Sequence, residues 1–76
     1  MKIEILGTGC PKCKKLYELT CQAVAEAGIE ATIEKVEDMN RISGYGVFMT
    51  PALVVDGQVK SSGKALKLQE IKKALQ

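Results

Sequence analysis

YGVFMTPALVVDGQVKSSG, residues 45 to 63, reads as an antiparallel hairpin with a proline at its entrance. Proline has no N–H to give a ladder, so Pro51 marks the opening of a strand rather than its middle. The run PALVV, 51 to 55, is apolar and partly β-branched, and is that strand. Asp56-Gly57 is a two-residue turn signal, and QVKS, 58 to 61, returns from it as the next strand. On these residues alone Pro51 is a strand-initiating proline, since most X–Pro bonds are trans. A proline in a tight corner is also where a cis bond is found.

Upstream, the chain alternates strand and helix. KIEIL, 2 to 6, alternates polar and apolar residues and reads as a strand, broken by Gly7-Thr8-Gly9. From Pro11 to Ala27, the residues Leu16, Leu19, Thr20, Ala23, Val24 and Ala27 recur at helical spacing, and Gly28 supplies the stop. EATIEKV, 30 to 36, reads as a second strand. EDMNRIS, 37 to 43, reads as a short helix with an acidic start, ending at Gly44 or Gly46. Residues 66 to 75 close the chain as a helix with Leu68, Ile71 and Leu75 on one face. The order is β-α-β-α-β-β-α. A strand–helix–strand crossover makes the first two strands parallel, and the hairpin makes the last two antiparallel. An α/β fold with a four-stranded mixed sheet and helices on both faces is expected, as one domain over residues 1–76.

Bulk properties narrow the function. At 76 residues, 46% hydrophobic and 26% charged, the chain has the make-up of a small globular domain. Its net charge of +2, with no long basic stretch and no aromatic ladder, argues against a nucleic-acid binder. No apolar run approaches a membrane span, and the start does not read as an export signal, so a cytosolic location is expected. Nothing demands an oligomer, and a monomer is expected. Three cysteines is an odd count, which suits a working pair plus a spare in a reducing compartment.

The working pair is in GTGCPKCKKL, residues 7 to 16. Proline is favoured at the first helical position, so Cys10 is the expected N-cap, Pro11 the first helical residue, and Cys13 lies in the first turn. Backbone N–H groups and the helix dipole both favour a thiolate at Cys10, whose pKa is expected below the free value of about 8.5. Cys13 is one turn on, at about 5–6 Å, within reach of a disulfide. It is expected to be less exposed. The assignment follows: Cys10 attacks a disulfide and Cys13 resolves the mixed disulfide. Cys21 lies about 12 Å further along the helix and is expected to be a packed thiol. Lys12, Lys14 and Lys15 form either a solvated helix face or an electropositive rim that favours thiolates and acidic partners.

CxxC also serves metals. A structural zinc site needs four ligands, and the chain has no histidine and no second CxxC. A soft-metal carrier remains the alternative, because heavy-metal-associated domains also place CxxC after a first strand. Those domains want a methionine where Thr8 stands, and they run β-α-β-β-α-β. A non-catalytic binding module is a third reading, against which the intact CxxC argues.

The cysteine motif behind the first strand, YGV followed by Thr50-Pro51, then ALVVDGQV and a glycine, together resemble the thioredoxin superfamily over nearly the whole chain. The resemblance is to its small members, which lack the extra N-terminal strand and helix. It implies a thiol–disulfide oxidoreductase without a bound cofactor, acting on disulfide-containing proteins and recharged by an NADPH- or ferredoxin-linked disulfide reductase. It implies that Cys10 and Cys13 are catalytic, that Pro51 is cis and packs against them, and that the backbone of Thr50 pairs with substrate. Pro11 and Lys12, between the cysteines, are carried as further substrate contacts. Pro-Lys stands where thioredoxin has Gly-Pro, and CPxC is closer to glutaredoxins. The glutathione-holding Gly-Gly pair of glutaredoxins is replaced by Ser61-Ser62-Gly63-Lys64. Glu4, six residues before Cys10, matches the position of thioredoxin's buried acid. Two readings stand for it: a proton relay to Cys13, or a glutamate on a partly exposed strand face.

Overall fold

The computed structural model describes residues 1–9, 11–63 and 66–75. Its elements are β1 (Lys2–Leu6), α1 (Pro11–Ala27), β2 (Thr32–Val36), α2 (Met39–Gly44), β3 (Ala52–Val55), β4 (Gln58–Ser62) and α3 (Leu68–Ala74). The order is the expected β-α-β-α-β-β-α, and the strands form one mixed sheet ordered β2-β1-β3-β4. β1 runs parallel to β2 and antiparallel to β3, and β3 antiparallel to β4.

The central strands carry apolar residues on both faces because both faces are covered. Ile3, Ile5, Leu53 and Val55 pack with Leu16 and Ala23 of α1 and with Ile71 of α3 and the adjoining Leu75. On the other side Leu6, Ala52 and Val54 pack with Val36, with Ile42 of α2 and with Val47. Each fully buried leucine or isoleucine here contributes about 1.5–3 kcal/mol. Thr20 belongs to the same buried stripe of α1 as Leu16 and Ala23. It is tolerated there because its hydroxyl donates to the Leu16 carbonyl at 2.7 Å.

Element ends differ from the sequence expectation for identifiable reasons. β2 starts at Thr32, not residue 30, because its partner β1 starts at Lys2, whose register mate is Thr32. α2 starts at Met39, not residue 37, because Asp38 caps it: its carboxylate accepts from the Asn40 N–H at 2.9 Å. β3 starts at Ala52, since Pro51 has no N–H to donate. β4 extends one residue further, to Ser62, with an irregularity opposite Leu53 and Val54. α3 is shorter than 66 to 75; the Lys67 N–H is taken by the Glu70 carboxylate at 3.1 Å, which starts the helix at Leu68. At the hairpin, Asp56 and Gly57 have φ of 49° and 82°, the mirror-image turn that matches strand twist. The Asp56 carboxylate also accepts from the Lys2 N–H at 2.8 Å, tying the turn to β1.

Candidate active site

The first crossover delivers the head of α1 to the end of β1. α1 begins at Pro11, as expected of a proline at the first helical position. Cys10 lies outside the described residues, and the expectations for its side chain rest on its place in the chain directly before Pro11. Cys13 is in the first turn and is 6% exposed. Pro11, Lys12, Lys14 and Lys15 are exposed around it. Cys21, further along α1, carries a half-buried free thiol.

Gly7 is the floor of the site. Its N–H donates to the Val36 carbonyl at 2.9 Å, which continues the β1–β2 pairing one residue past β1. A methyl group at Gly7 would overlap Cys13 Sγ and lie 3.2 Å from Cys13 Cβ and 3.7 Å from Thr50 Cβ. The thiol of Cys13 and the Thr50 corner therefore converge on the same bare stretch of backbone. The Thr50–Pro51 peptide bond is cis. Pro51 is fully buried, and its carbonyl accepts from the Gly63 N–H at 2.9 Å. Thr50 is half-buried. The structure thus brings Cys13 and Thr50 to one place, two residues that the sequence expectation had joined only through a resemblance, with Pro51 next along the chain.

Two features were missed from sequence. Phe48 and Met49, just ahead of the corner, are 94% and 65% exposed, whereas Val47 is buried. The signal was available: Val47, Phe48 and Met49 are consecutive, and three apolar side chains in a row on a short loop cannot all face inward. The second is a cavity of about 50 Å³ behind Cys13, lined by Ile5, Gly7, Gly9, Cys13, Lys14, Lys35 and Glu37. The Lys35 ammonium sits 4.5 Å from the centroid of the Tyr17 ring, a cation–π distance.

The relay reading of Glu4 needs correction. Side chains alternate along β1, so Ile3 and Ile5 face α1 while Glu4 and Leu6 face α2. Glu4 is 2% exposed, and so is not on a partly exposed face either. Its carboxylate accepts from the Tyr45 hydroxyl at 2.6 Å and pairs with the Arg41 guanidinium at 3.1 Å. Arg41 reaches Glu34 at 3.1 Å with its other nitrogen. The hydrogen bond to Glu4 holds the Tyr45 phenol above its ordinary range, with burial and the Glu4 charge acting in the same direction. Glu4 is thus a structural anchor for α2, with the sheet between it and the α1 face that carries Cys13.

Cys13, in the first turn of α1, and Thr50, whose peptide bond to Pro51 is cis, meet over Gly7 at one end of a mixed sheet. The chain matches the thioredoxin domain model over residues 1–76. It is 44% identical over 75 residues to a thioredoxin of Methanothermobacter thermautotrophicus, covering 99% of this chain and 97% of the relative. It is 47% identical over 73 residues to a thioredoxin of Methanocaldococcus jannaschii, covering 96% and 84%. The chain belongs to the thioredoxin family, and with it to the thiol–disulfide oxidoreductases. The soft-metal carrier alternative is not supported: that fold runs β-α-β-β-α-β and ends on a strand, whereas two helices here precede the hairpin and a third follows it. Among the described residues no helix is long and apolar enough to cross a membrane.

Proposed function

We propose that this protein exchanges disulfides with protein substrates through Cys10 and Cys13. The Cys10 thiolate attacks one sulfur of a substrate disulfide, and the other substrate sulfur leaves with the electron pair. The Cys13 thiolate then attacks Cys10 Sγ, the Cys10–Cys13 bond forms, and the second substrate sulfur leaves as a thiolate that takes a proton from water. The substrate gains two electrons, and the cysteine pair becomes the disulfide. Because a thiolate attacks along the S–S axis, the substrate chain must lie beside the corner that flanks the thiols.

The observation that carries this reading is the convergence of Cys13 and Thr50 over Gly7. The backbone at Thr50 is the docking edge for an extended substrate segment. Phe48 and Met49 give that segment an apolar shelf, and Pro11 and Lys12 border it on the helix side. The reaction needs no bound cofactor. The pair is recharged by an NADPH- or ferredoxin-linked disulfide reductase in a reducing cytosol, with the chain acting as a monomer and a single domain.

Insulin-disulfide reduction with a redox titration of the pair tests the proposal. Wild type is expected to reduce insulin, and a potential near about −270 mV marks a reductant. Cys10→Ser should abolish the activity. Cys13→Ser should accumulate a mixed disulfide on Cys10. Activity surviving in Cys10→Ser refutes the assignment.

A further inference from the structure

The chain has three methionines, and all are exposed: Met1 by 44%, Met39 by 60% and Met49 by 65%. Of the three, only Met49 adjoins the docking edge, one residue before Thr50. Its side chain does not simply reach away into solvent. A Cβ placed on Gly63 would lie 2.9 Å from Met49 Cβ, 3.3 Å from its Cε and 3.5 Å from its Sδ. The base, the sulfur and the tip of the side chain all lie close to one point, so the thioether folds flat over the bare Cα of Gly63. Gly63, just past β4, has φ of 71°, and its N–H donates to the Pro51 carbonyl at 2.9 Å. Met49 thus covers the tie that holds the far side of the Thr50–Pro51 corner. Its outer surface forms the apolar shelf together with that of Phe48.

We propose that Met49 is an oxidation site: a hydroperoxide converts its thioether to the sulfoxide and thereby weakens the docking edge for protein disulfides. The inference rests on the docking proposed above and adds the chemistry that turns it off. A sulfur lone pair attacks the hydroxyl oxygen of the peroxide, so that the S–O bond forms and the O–O bond breaks. The other oxygen leaves with the electron pair, takes the proton that the transferred oxygen sheds, and departs as water or an alcohol. The thioether loses two electrons and the peroxide gains them. A flexible apolar side chain becomes a polar, chiral one. On its inner side, the apolar contact with Gly63 is replaced by a group that seeks water. On its outer side, a substrate segment that covers the shelf must strip water from a strong acceptor. The thioether rests on Gly63, whereas Cys13 packs at Gly7, so the exchange chemistry itself is untouched. Met39 opens α2 and Met1 precedes β1, and their oxidation leaves the shelf as it is.

The test uses a Cys21→Ser parent whose cysteine pair is first closed to the disulfide, so that no thiol is open to over-oxidation. Hydrogen peroxide is added, peptide mass analysis shows which methionines have gained oxygen, and dithiothreitol reopens the pair before assay. With Met49 as sulfoxide, KM for insulin should rise roughly fivefold, the low end of what burying an unpartnered polar group costs. The kcat and the rate with Ellman's reagent should stay as they were. Methionine sulfoxide reductases for both epimers should return KM to its starting value. Each variant is compared with its own untreated baseline: Met49→Leu should no longer respond to peroxide, and Met39→Leu should respond like the parent. Met49→Gln, with a permanent polar group of similar length, should show a raised KM without peroxide. An unchanged KM with Met49 fully oxidised overturns this inference, as does an equal response in Met49→Leu. A parallel fall in the Ellman rate would mean general damage to the fold and overturns it too. These outcomes leave the exchange reading standing. An untreated parent that does not reduce insulin overturns that reading, and this inference with it.

Discussion

Gly7→Ala isolates the contact on which the site is built. Gly7 is not among the glycines with positive φ, so alanine fits its backbone. On that account alone the substitution would stabilise the protein by about 0.4–1 kcal/mol, through the unfolded chain. The contact acts the other way. The added methyl would overlap Cys13 Sγ, and Cys13 is the buried residue of the first turn, with Leu16 the next inward residue. Either the sulfur leaves its rotamer or the head of α1 lifts off β1. Overpacking of this kind costs about 1–3 kcal/mol, which exceeds the backbone gain. In a Cys13→Ala background the sulfur is gone, and the remaining neighbours are Cys13 Cβ at 3.2 Å and Thr50 Cβ at 3.7 Å. The cost should then fall close to zero. Urea unfolding of the four reduced proteins measures the cycle, with an unchanged m-value as the check that the transition is the same. A coupling of about 1–2 kcal/mol is expected, as found for residues in direct contact. Equal losses from Gly7→Ala in both backgrounds would refute the account of Gly7 as the floor beneath the thiol.

Other expectations concern anchors and the docking edge. Tyr45 is held above its ordinary 10.0 by its bond to Glu4, so the stabilisation it contributes is complete below that value and is lost as pH rises through its raised folded pKa. Subtracting the alkaline stability profile of Tyr45→Phe from that of wild type should isolate this loss; parallel profiles would show that the bond does not matter. Glu26 is held below its ordinary 4.5, first by its hydrogen bond to Lys72 of α3 and next by Gln22. Its contribution is present above the ordinary value and fades as pH falls through the lowered folded one, so Lys72→Met should lose stability at neutral pH and converge on wild type in acid. Phe48→Ser should raise KM for a protein disulfide several-fold while leaving reaction with Ellman's reagent unchanged, because the small reagent does not reach the shelf. A parallel drop in both assays would place Phe48 in the chemistry instead of the docking.

The parts of the fold that sequence revealed are those with local causes. Asp56-Gly57 announces its turn by backbone chemistry, and Pro11 and Gly28 bracket α1 by theirs. The element order followed from these. What escaped depended on partners far along the chain. Alternation in KIEIL puts Glu4 opposite Ile3 and Ile5, and it is Arg41 of α2 and Tyr45 just beyond it, far along the chain, that cover it. Lys35 and Glu37 share a face by parity, but only the pairing of β2 with β1 brings that face against the first turn of α1. The meeting of Cys13 with Thr50 has no local signature at all. Its trace in the sequence is Gly7, a residue that reads as an ordinary strand breaker until its neighbours are known.

The segment from Gly46 to Thr50 is tied down at both ends. Tyr45 is bonded to the central strand through Glu4, and Pro51 is bonded to Gly63 beyond β4, while Val47 in between is buried. The arc that offers Phe48 and Met49 is therefore preorganised. A partner that lands on it meets a surface already in its bound shape and forfeits little chain entropy in ordering it, so binding strength is decided by complementarity alone.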